Sequence, residues 1–250
     1  MSIYEKIASA TDSLRGRDCS AIILAGGSGT RFSDSSQCPK QFADICGVPM
    51  IVYSIMAFAR CRAVREIIIV SRENDIPKLE KLTRALELQK PIKIVTGGDT
   101  RQMSALKGLN AASDSVSLIA IHDAARPLIT TRDIDAIISA ASTAKAAIAA
   151  IPAVDTPKIV SRTGRINDKA PERDKIWMAQ TPQIFDKDLY RACAYYAIEQ
   201  GFTSTDDSSL LEFAGFDVKA VRTRDPNFKV TYAEDLILAS AVINSRSKEN

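Results

Sequence analysis

The residues with most chemical content stand together in Leu24-Ala25-Gly26-Gly27-Ser28-Gly29-Thr30-Arg31-Phe32, followed by Pro39-Lys40-Gln41. Glycine at 26, 27 and 29 lets successive backbone N–H groups converge on one anion with no Cβ in the way, and Arg31 and Lys40 add fixed positive charge. That combination makes a phosphate cradle. Two familiar glycine loops do not fit it. A dinucleotide fingerprint begun at Gly27 needs glycine where Phe32 stands, and a G-x-x-x-x-G-K-[ST] loop needs its lysine directly after glycine, whereas Lys40 follows Pro39. A plain glycine turn also accounts for the loop by itself; the cations behind it favour the phosphate.

Four further segments carry candidates. In Gly97-Gly98-Asp99-Thr100-Arg101-Gln102-Met103-Ser104 the glycines permit close backbone approach, and Asp99 and Ser104 can hydrogen-bond a base or a ribose, although Gly-Gly-Asp is equally a simple turn. Ile121-His122-Asp123-Ala124-Ala125-Arg126-Pro127 puts a carboxylate and a guanidinium just past a strand; Asp123 beside a polyphosphate is placed to hold magnesium directly or through water, and His122 reads as a holder of a backbone group rather than a base. Thr205-Asp206-Asp207-Ser208-Ser209 sets acids at a helix start, which the helix dipole alone would favour. Lys229 lies between the apolar Phe228 and Val230, so it is either at a sheet edge or aimed at an anion.

The chain that must position these groups has 250 residues, 46% of them hydrophobic, with 33 Lys and Arg against 30 Asp and Glu. A formal charge of +3 gives no basic field of the kind duplex nucleic acid requires, so a nucleic-acid partner is excluded as an expectation. The five cysteines form no C-x-x-C pair and the histidine is single, which leaves neither a disulfide framework nor a structural zinc site and points to a cytoplasmic protein with reduced thiols. Apolar runs such as 146–151 fall far short of the ~20 residues of a membrane span. Residues 1–18 lack the apolar centre of a secretory signal and read as an N-terminal extension, helical or loose.

Short apolar runs at 20–25, 66–70, 92–95, 116–121 and 146–151 predict buried strands, separated by helix-period stretches that include 50–59, opened by Pro49, and 134–141, capped by Thr130 with Asp133. Such alternation specifies a parallel sheet covered on both faces, an α/β fold. Residues 152–175 break the pattern with Pro152, Pro157, Gly164 and Pro171 and read as a β-hairpin arm too poor in apolar residues to have its own core, so that it leans on a second subunit. Beyond it, helices are expected at 186–200, 208–213 and 233–243 and strands at 218–221 and 228–231. The division is an extension over 1–18, a single domain over 19–245 with its arm at 152–175, and a tail over 246–250.

In this order and spacing the glycine loop, Pro39-Lys40-Gln41-Phe42, His122-Asp123-Ala124-Ala125-Arg126-Pro127, Ala179-Gln180-Thr181-Pro182-Gln183-Ile184-Phe185, Thr205-Asp206-Asp207-Ser208-Ser209 and Lys229-Val230-Thr231 resemble the 2-C-methyl-D-erythritol 4-phosphate cytidylyltransferase family of isoprenoid biosynthesis. The ribitol 5-phosphate cytidylyltransferases of teichoic-acid synthesis share most of these pieces; Ala125, Asp155-Thr156-Pro157-Lys158 and Trp177 look more like the erythritol family. The first loop departs from the family in reading Ala25-Gly26-Gly27 where Ala-Ala-Gly is usual.

The resemblance implies a doubly wound, mostly parallel, Rossmann-like nucleotidyltransferase sheet with a protruding β-arm. It implies transfer of a cytidylyl group from CTP to a sugar-alcohol phosphate, with magnesium as cofactor and pyrophosphate released. Arg31, Lys40 and Lys229 are then the catalytic cations. Ala25, Gly26, Gly27, Gly29, Gly98, Asp99 and Ser104 hold the nucleotide. Asp123 steadies magnesium or the acceptor hydroxyls, Arg126 and Thr205 lie on the acceptor side, and Thr156 and Arg173 reach an acceptor phosphate across a homodimer. A sugar 1-phosphate transferase using UTP or GTP, and a nucleotide-binding module without turnover, are the other readings.

Overall fold

The computed structural model describes residues 17–27, 32, 39–168 and 172–248. The first apolar run becomes β1 (Cys19–Leu24). After a one-turn 3-10 helix at Lys40–Phe42 come a small hairpin, β2 (Asp44–Ile45) and β3 (Val48–Pro49), and helix α1 (Met50–Arg60), which Pro49 precedes as N-cap. Strands and helices then alternate: β4 (Val64–Ser71), α2 (Ile76–Ala85), β5 (Ile92–Thr96), α3 (Arg101–Ala111), β6 (Leu118–Asp123), α4 (Thr131–Ala144) and β7 (Ala146–Pro152). Thr130 caps α4 as its sequence predicts, its hydroxyl oxygen accepting from Asp133 N at 3.2 Å.

The arm carries β8 (Ile159–Val160) and β9 (Ile166–Asp168), an antiparallel pair turned at Gly164, whose φ of +79° suits a residue without Cβ. The chain re-enters the body as β10 (Trp177–Asp186), followed by α5 (Lys187–Glu199), α6 (Ser208–Phe213), β11 (Lys219–Arg222) and α7 (Asp235–Lys248). Asp186 caps α5 through the N–H groups of Asp188 and Leu189, and Gly201, at φ +64°, follows its end. Helix α7 runs past residue 245, and Arg246 Nη1 donates to Leu128 O at 2.8 Å.

Seven strands form the main sheet in the order β11-β7-β10-β6-β1-β4-β5. Neighbours are parallel except β10, which runs antiparallel between β6 and β7. The sheet is thus mostly parallel, as expected, with β10 as its antiparallel member among the described strands. Pro182, which cannot donate to a ladder, hides it from a reading by periodicity, and the pairing with β7 is interrupted between Ala179 and Gln183 around it. A correction concerns 228–231, expected as a strand: it is an extended loop outside the sheet, held by Val230 N donating to Ala125 O at 2.8 Å.

Side chains alternate across each strand and supply two cores. Ala21, Ile23, Ile67, Ile69 and Ala120 meet α1 and α4 through Ile51, Ile55, Phe58, Ile134 and Ile137. Ile22, Ile68, Ile119, Ile121 and Phe185 meet α3 and α5 through Leu106, Leu109, Leu189 and Tyr190. Helix α3 lies especially close to the sheet, since a Cβ on Gly108 would stand 2.4 Å from Ile22 Cγ2. That approach fixes the helix whose N-terminus opens on the carboxyl ends of the strands, where ligands of open α/β sheets bind.

Candidate active site

A cleft of about 560 Å³ opens beyond the carboxyl ends of β1, β4 and β6. Its floor is the backbone of Leu24, Ala25, Gly26 and Gly27, and its walls include Lys40, Gly98, Asp99, Arg101, Ser104, Asp123 and Lys229. The loop after β1 is anchored at Ala25, whose N donates to Val70 O at 2.7 Å, and at Gly26, whose carbonyl accepts from Arg72 Nε at 3.1 Å. Gly29 and Arg31 lie outside the described residues.

Lys40 starts the 3-10 turn that Gln41 pins from beneath, its Nε2 donating to Asp75 Oδ2 at 2.9 Å. The Lys40 ammonium donates to Val230 O at 2.8 Å, which ties this turn to the loop carrying Lys229. Lys229 Nζ in turn donates to Asp123 Oδ2 at 2.7 Å, and Arg101 Nη2 lies 3.5 Å from Asp123 Oδ1. Burial alone would raise the Asp123 carboxyl; the charges of Arg101 and Lys229 outweigh it and hold the group well below the ordinary carboxylate range. Asp123 is therefore an anion at neutral pH. Its own N–H donates to Thr181 Oγ1 at 3.0 Å, so β10 sets the height of β6 at the cleft.

Gly98 and Ser104 meet across the start of α3: Gly98 N donates to Ser104 Oγ at 3.0 Å, and a Cβ on Gly98 would fall 2.5 Å from Met103 Cβ. No side chain fits there, which leaves the Gly98 and Asp99 backbone at the cleft wall. Thr100 caps this helix by accepting from Met103 N at 3.1 Å.

His122 is fully buried, and burial pushes its imidazole down to about 4. Its Nδ1 sits 3.1 Å from Thr181 Oγ1 and its Nε2 3.2 Å from Arg126 O, so it holds backbone and neighbour rather than acting as a base. Arg126 does not line the cleft: its Nη1 donates to Asn227 O at 2.9 Å, and Asn227 Nδ2 donates to Thr181 O at 2.9 Å. Together they clamp the Lys229 loop to the sheet. Thr205, Thr156 and Arg173 are exposed and do not line the cleft within one chain; Arg173 Nη1 donates to Val154 O at 3.4 Å. Asp206 receives Ser209 N at 3.2 Å, the capping role that its place at a helix start predicts, while Asp207 turns inward to Tyr190 and Arg101.

Arg101, Arg72, Thr181 and Asp207 went unselected on sequence. Arg101 did carry a signal, because a cation at the first position of a helix is opposed by the helix dipole and needs a reason to be there. Taken as chemistry, the described lining of the cleft offers the fixed cations of Lys40, Arg72, Arg101 and Lys229 and the carboxylates of Asp99 and Asp123, with no histidine among them. Among the described residues no three His, Cys, Asp or Glu side chains cluster as metal ligands. This is equipment for stabilising phosphate charge.

The model of the 2-C-methyl-D-erythritol 4-phosphate cytidylyltransferase family matches residues 19–245. The chain belongs to that family. Among curated members it is 39% identical over 221 residues to the 2-C-methyl-D-erythritol 4-phosphate cytidylyltransferase of Caldanaerobacter subterraneus, covering 88% of this chain and 96% of the relative. To the same enzyme of Acidobacterium capsulatum it is 38% identical, over 90% and 97% of the two chains. The crystal structure of 4-diphosphocytidyl-2C-methyl-D-erythritol synthase from Anaerococcus prevotii superposes with a TM-score of 0.80 at 32% identity, covering 91% of this chain and 98% of that one. Members of the family are nucleotidyltransferases, and the α/β sheet expected from the sequence is the family's architecture.

Proposed function

We propose that the protein transfers a cytidylyl group from CTP to 2-C-methyl-D-erythritol 4-phosphate and releases pyrophosphate. The observation that carries this reading is the convergence of Lys40 and Lys229 on the cleft floored by Ala25, Gly26 and Gly27, within a chain of the cytidylyltransferase family. An oxygen of the acceptor phosphate attacks the α-phosphorus of CTP. The new P–O bond forms as the bond to the β-phosphate bridge oxygen breaks, and that oxygen leaves with the electron pair in pyrophosphate. A phosphate monoester is already ionised at pH 7, so no general base is required, in keeping with a neutral, buried His122. What remains is charge. Lys40, Lys229 and the loop N–H groups stabilise the negative charge that builds on the equatorial oxygens and on the leaving group, with Arg31 and Gly29 assigned to the same task by position in the motif.

Gly98, Asp99 and Ser104 hold the cytidine. Asp123 belongs to the acceptor side; Arg126, which clamps the Lys229 loop, and the exposed Thr205 are assigned there by their motif positions alone, and Thr156 and Arg173 reach the acceptor phosphate from the arm of a second subunit in a homodimer. The donor set fits magnesium: Asp123 and Asp99 are the carboxylates in the described lining of the cleft, and Mg²⁺ ordinarily takes one or two carboxylates together with substrate phosphates and water. Asp123 would hold it, and the ion would neutralise triphosphate charge. Location in the cytoplasm belongs to the same proposal; among the described residues no helix is long and apolar enough to cross a membrane. The single domain over 19–245 is likewise proposed as the catalytic unit.

Pyrophosphate release with CTP, magnesium and methylerythritol phosphate is the direct test. Faster release with ribitol 5-phosphate would move the protein to the teichoic-acid branch, preference for UTP or GTP to the sugar 1-phosphate transferases, and no release with any acceptor to a binding module.

A further inference from the structure

Behind the cleft a line of polar groups runs into the core under α3. Arg101 Nη1 lies 2.6 Å from Asp207 Oδ2, and Tyr190 OH donates to Asp207 Oδ1 at 2.7 Å. Asp207 is 1% exposed and Tyr190 is wholly buried in the core shared with Phe185, its stacking partner. The backbone N–H groups of Asp207 and Ser208 both donate to Gln183 Oε1 at 2.9 Å, so the Asp207 turn is fastened to β10 as well as to α5. On its other side Arg101 meets Asp123 Oδ1, and Asp123 Oδ2 meets Lys229. The series is Tyr190, Asp207, Arg101, Asp123, Lys229, from core to cleft.

We propose that Arg101 is a positioning residue for the transfer: braced on Asp207, it keeps the Asp123 carboxylate in place and compensated when Lys229 turns its charge toward a phosphate. Lys229 offers three donors, one of them spent on Asp123 at 2.7 Å, and its side chain, 40% exposed, is placed to turn toward a phosphoryl oxygen. Without Arg101, a largely buried carboxylate whose cation turned elsewhere would oppose that turn. Arg101 removes the opposition, because it faces the oxygen that Lys229 does not use. Arg101 itself stays behind, since the much shorter contact is with Asp207, which is buried and, among the described residues, pairs with no other cation. The inference rests on the transfer reading above and assigns within it a residue that acts through Asp123 rather than on substrate.

Steady-state pyrophosphate release by the full chain tests it, with Arg101→Gln, Arg101→Lys, Asp123→Asn and the Arg101→Gln/Asp123→Asn pair. The expected result is a kcat lowered by roughly tenfold or more in Arg101→Gln with KM for CTP within about threefold, partial recovery in Arg101→Lys, and a double variant no slower than Asp123→Asn alone. Should Arg101→Gln fail to fold, Tyr190→Phe takes its place, with a severalfold fall in kcat at unchanged KM expected. The proposal is overturned by an unchanged kcat, by a loss confined to KM, or by losses that multiply in the double variant, which would put Arg101 on the substrate itself. Absence of turnover in the unmodified enzyme would remove the transfer reading and this inference together; turnover with any of the other three results removes this inference alone.

Discussion

Lys40 and Lys229 are 190 or so residues apart in the chain yet share one loop, because the ammonium of the first binds the carbonyl of Val230, next to the second. Replacing either by alanine should lower turnover by roughly 10²-fold or more, as for other preorganised groups that meet charge developing in the transition state, with the circular dichroism spectrum unchanged. Gly98→Ala tests the nucleotide side. The added methyl meets Met103 Cβ and the backbone of the same residue, so the loop must move off α3, and KM for CTP should rise by about tenfold or more with a smaller change in kcat. The cations and Asp123 were legible in the sequence because charge beside glycines, or between apolar neighbours, is conspicuous locally. Arg101 and Asp207 were not: their significance lies in a contact that spans 106 positions, Asp207 alone reads as an ordinary charge at a helix start, and Arg101 shows only as a cation out of place there.

Among the elements, β4 carries a buried acid that ties three segments together. Glu66 Oε1 accepts from Ser20 Oγ of β1 and from Ser113 N after α3, both at 2.6 Å, and Oε2 pairs with Lys93 of β5 at 2.8 Å. Burial would raise this carboxyl, but Lys93 and the hydrogen bonds prevail and lower it. With the folded group below its unfolded value, the unfolded chain takes up the proton first as pH falls; the stabilisation is complete above the ordinary glutamate value of about 4.3 and is lost below it. Glu66→Gln should therefore cost about 1–3 kcal/mol in urea unfolding at pH 7, and the gap to the unmodified protein should narrow once the pH drops under about 4. The strands of this sheet were readable from short apolar runs because both faces are covered. β10 was not, since Pro182 interrupts the ladder, and 228–231 imitated a strand by placing Phe228 and Val230 inward without any strand to pair with.

At the scale of the molecule the arm is the unsettled surface. Val154, Ile159, Val160 and Ile166 stand exposed on it, more apolar area than two short strands can bury among themselves. A homodimer in which the arms cross would cover them and bring Thr156 and Arg173 to the neighbouring cleft. Arg173→Ala should then raise KM for methylerythritol phosphate by about tenfold and leave KM for CTP unchanged, since a planar guanidinium is suited to an acceptor phosphate. Replacing the hairpin with a short glycine-serine turn should yield a chain that sediments as a monomer and turns over poorly. The arm was legible as a break in pattern, because Pro152, Pro157, Gly164 and Pro171 interrupt the alternation of strand and helix.

The antiparallel strand lodged inside the sheet, between β7 and β6, also governs the order in which the protein can be finished. β6 and β7 are made before β10, but they are not joined into one sheet until β10 pairs with both of them. A nascent chain still short of Trp177 would present two raw strand edges facing an empty slot, the kind of surface that captures other chains. Closure of the sheet, and with it the seating of Thr181 against Asp123, is thus deferred to the late part of synthesis, and a prematurely terminated product would be sticky rather than merely inactive.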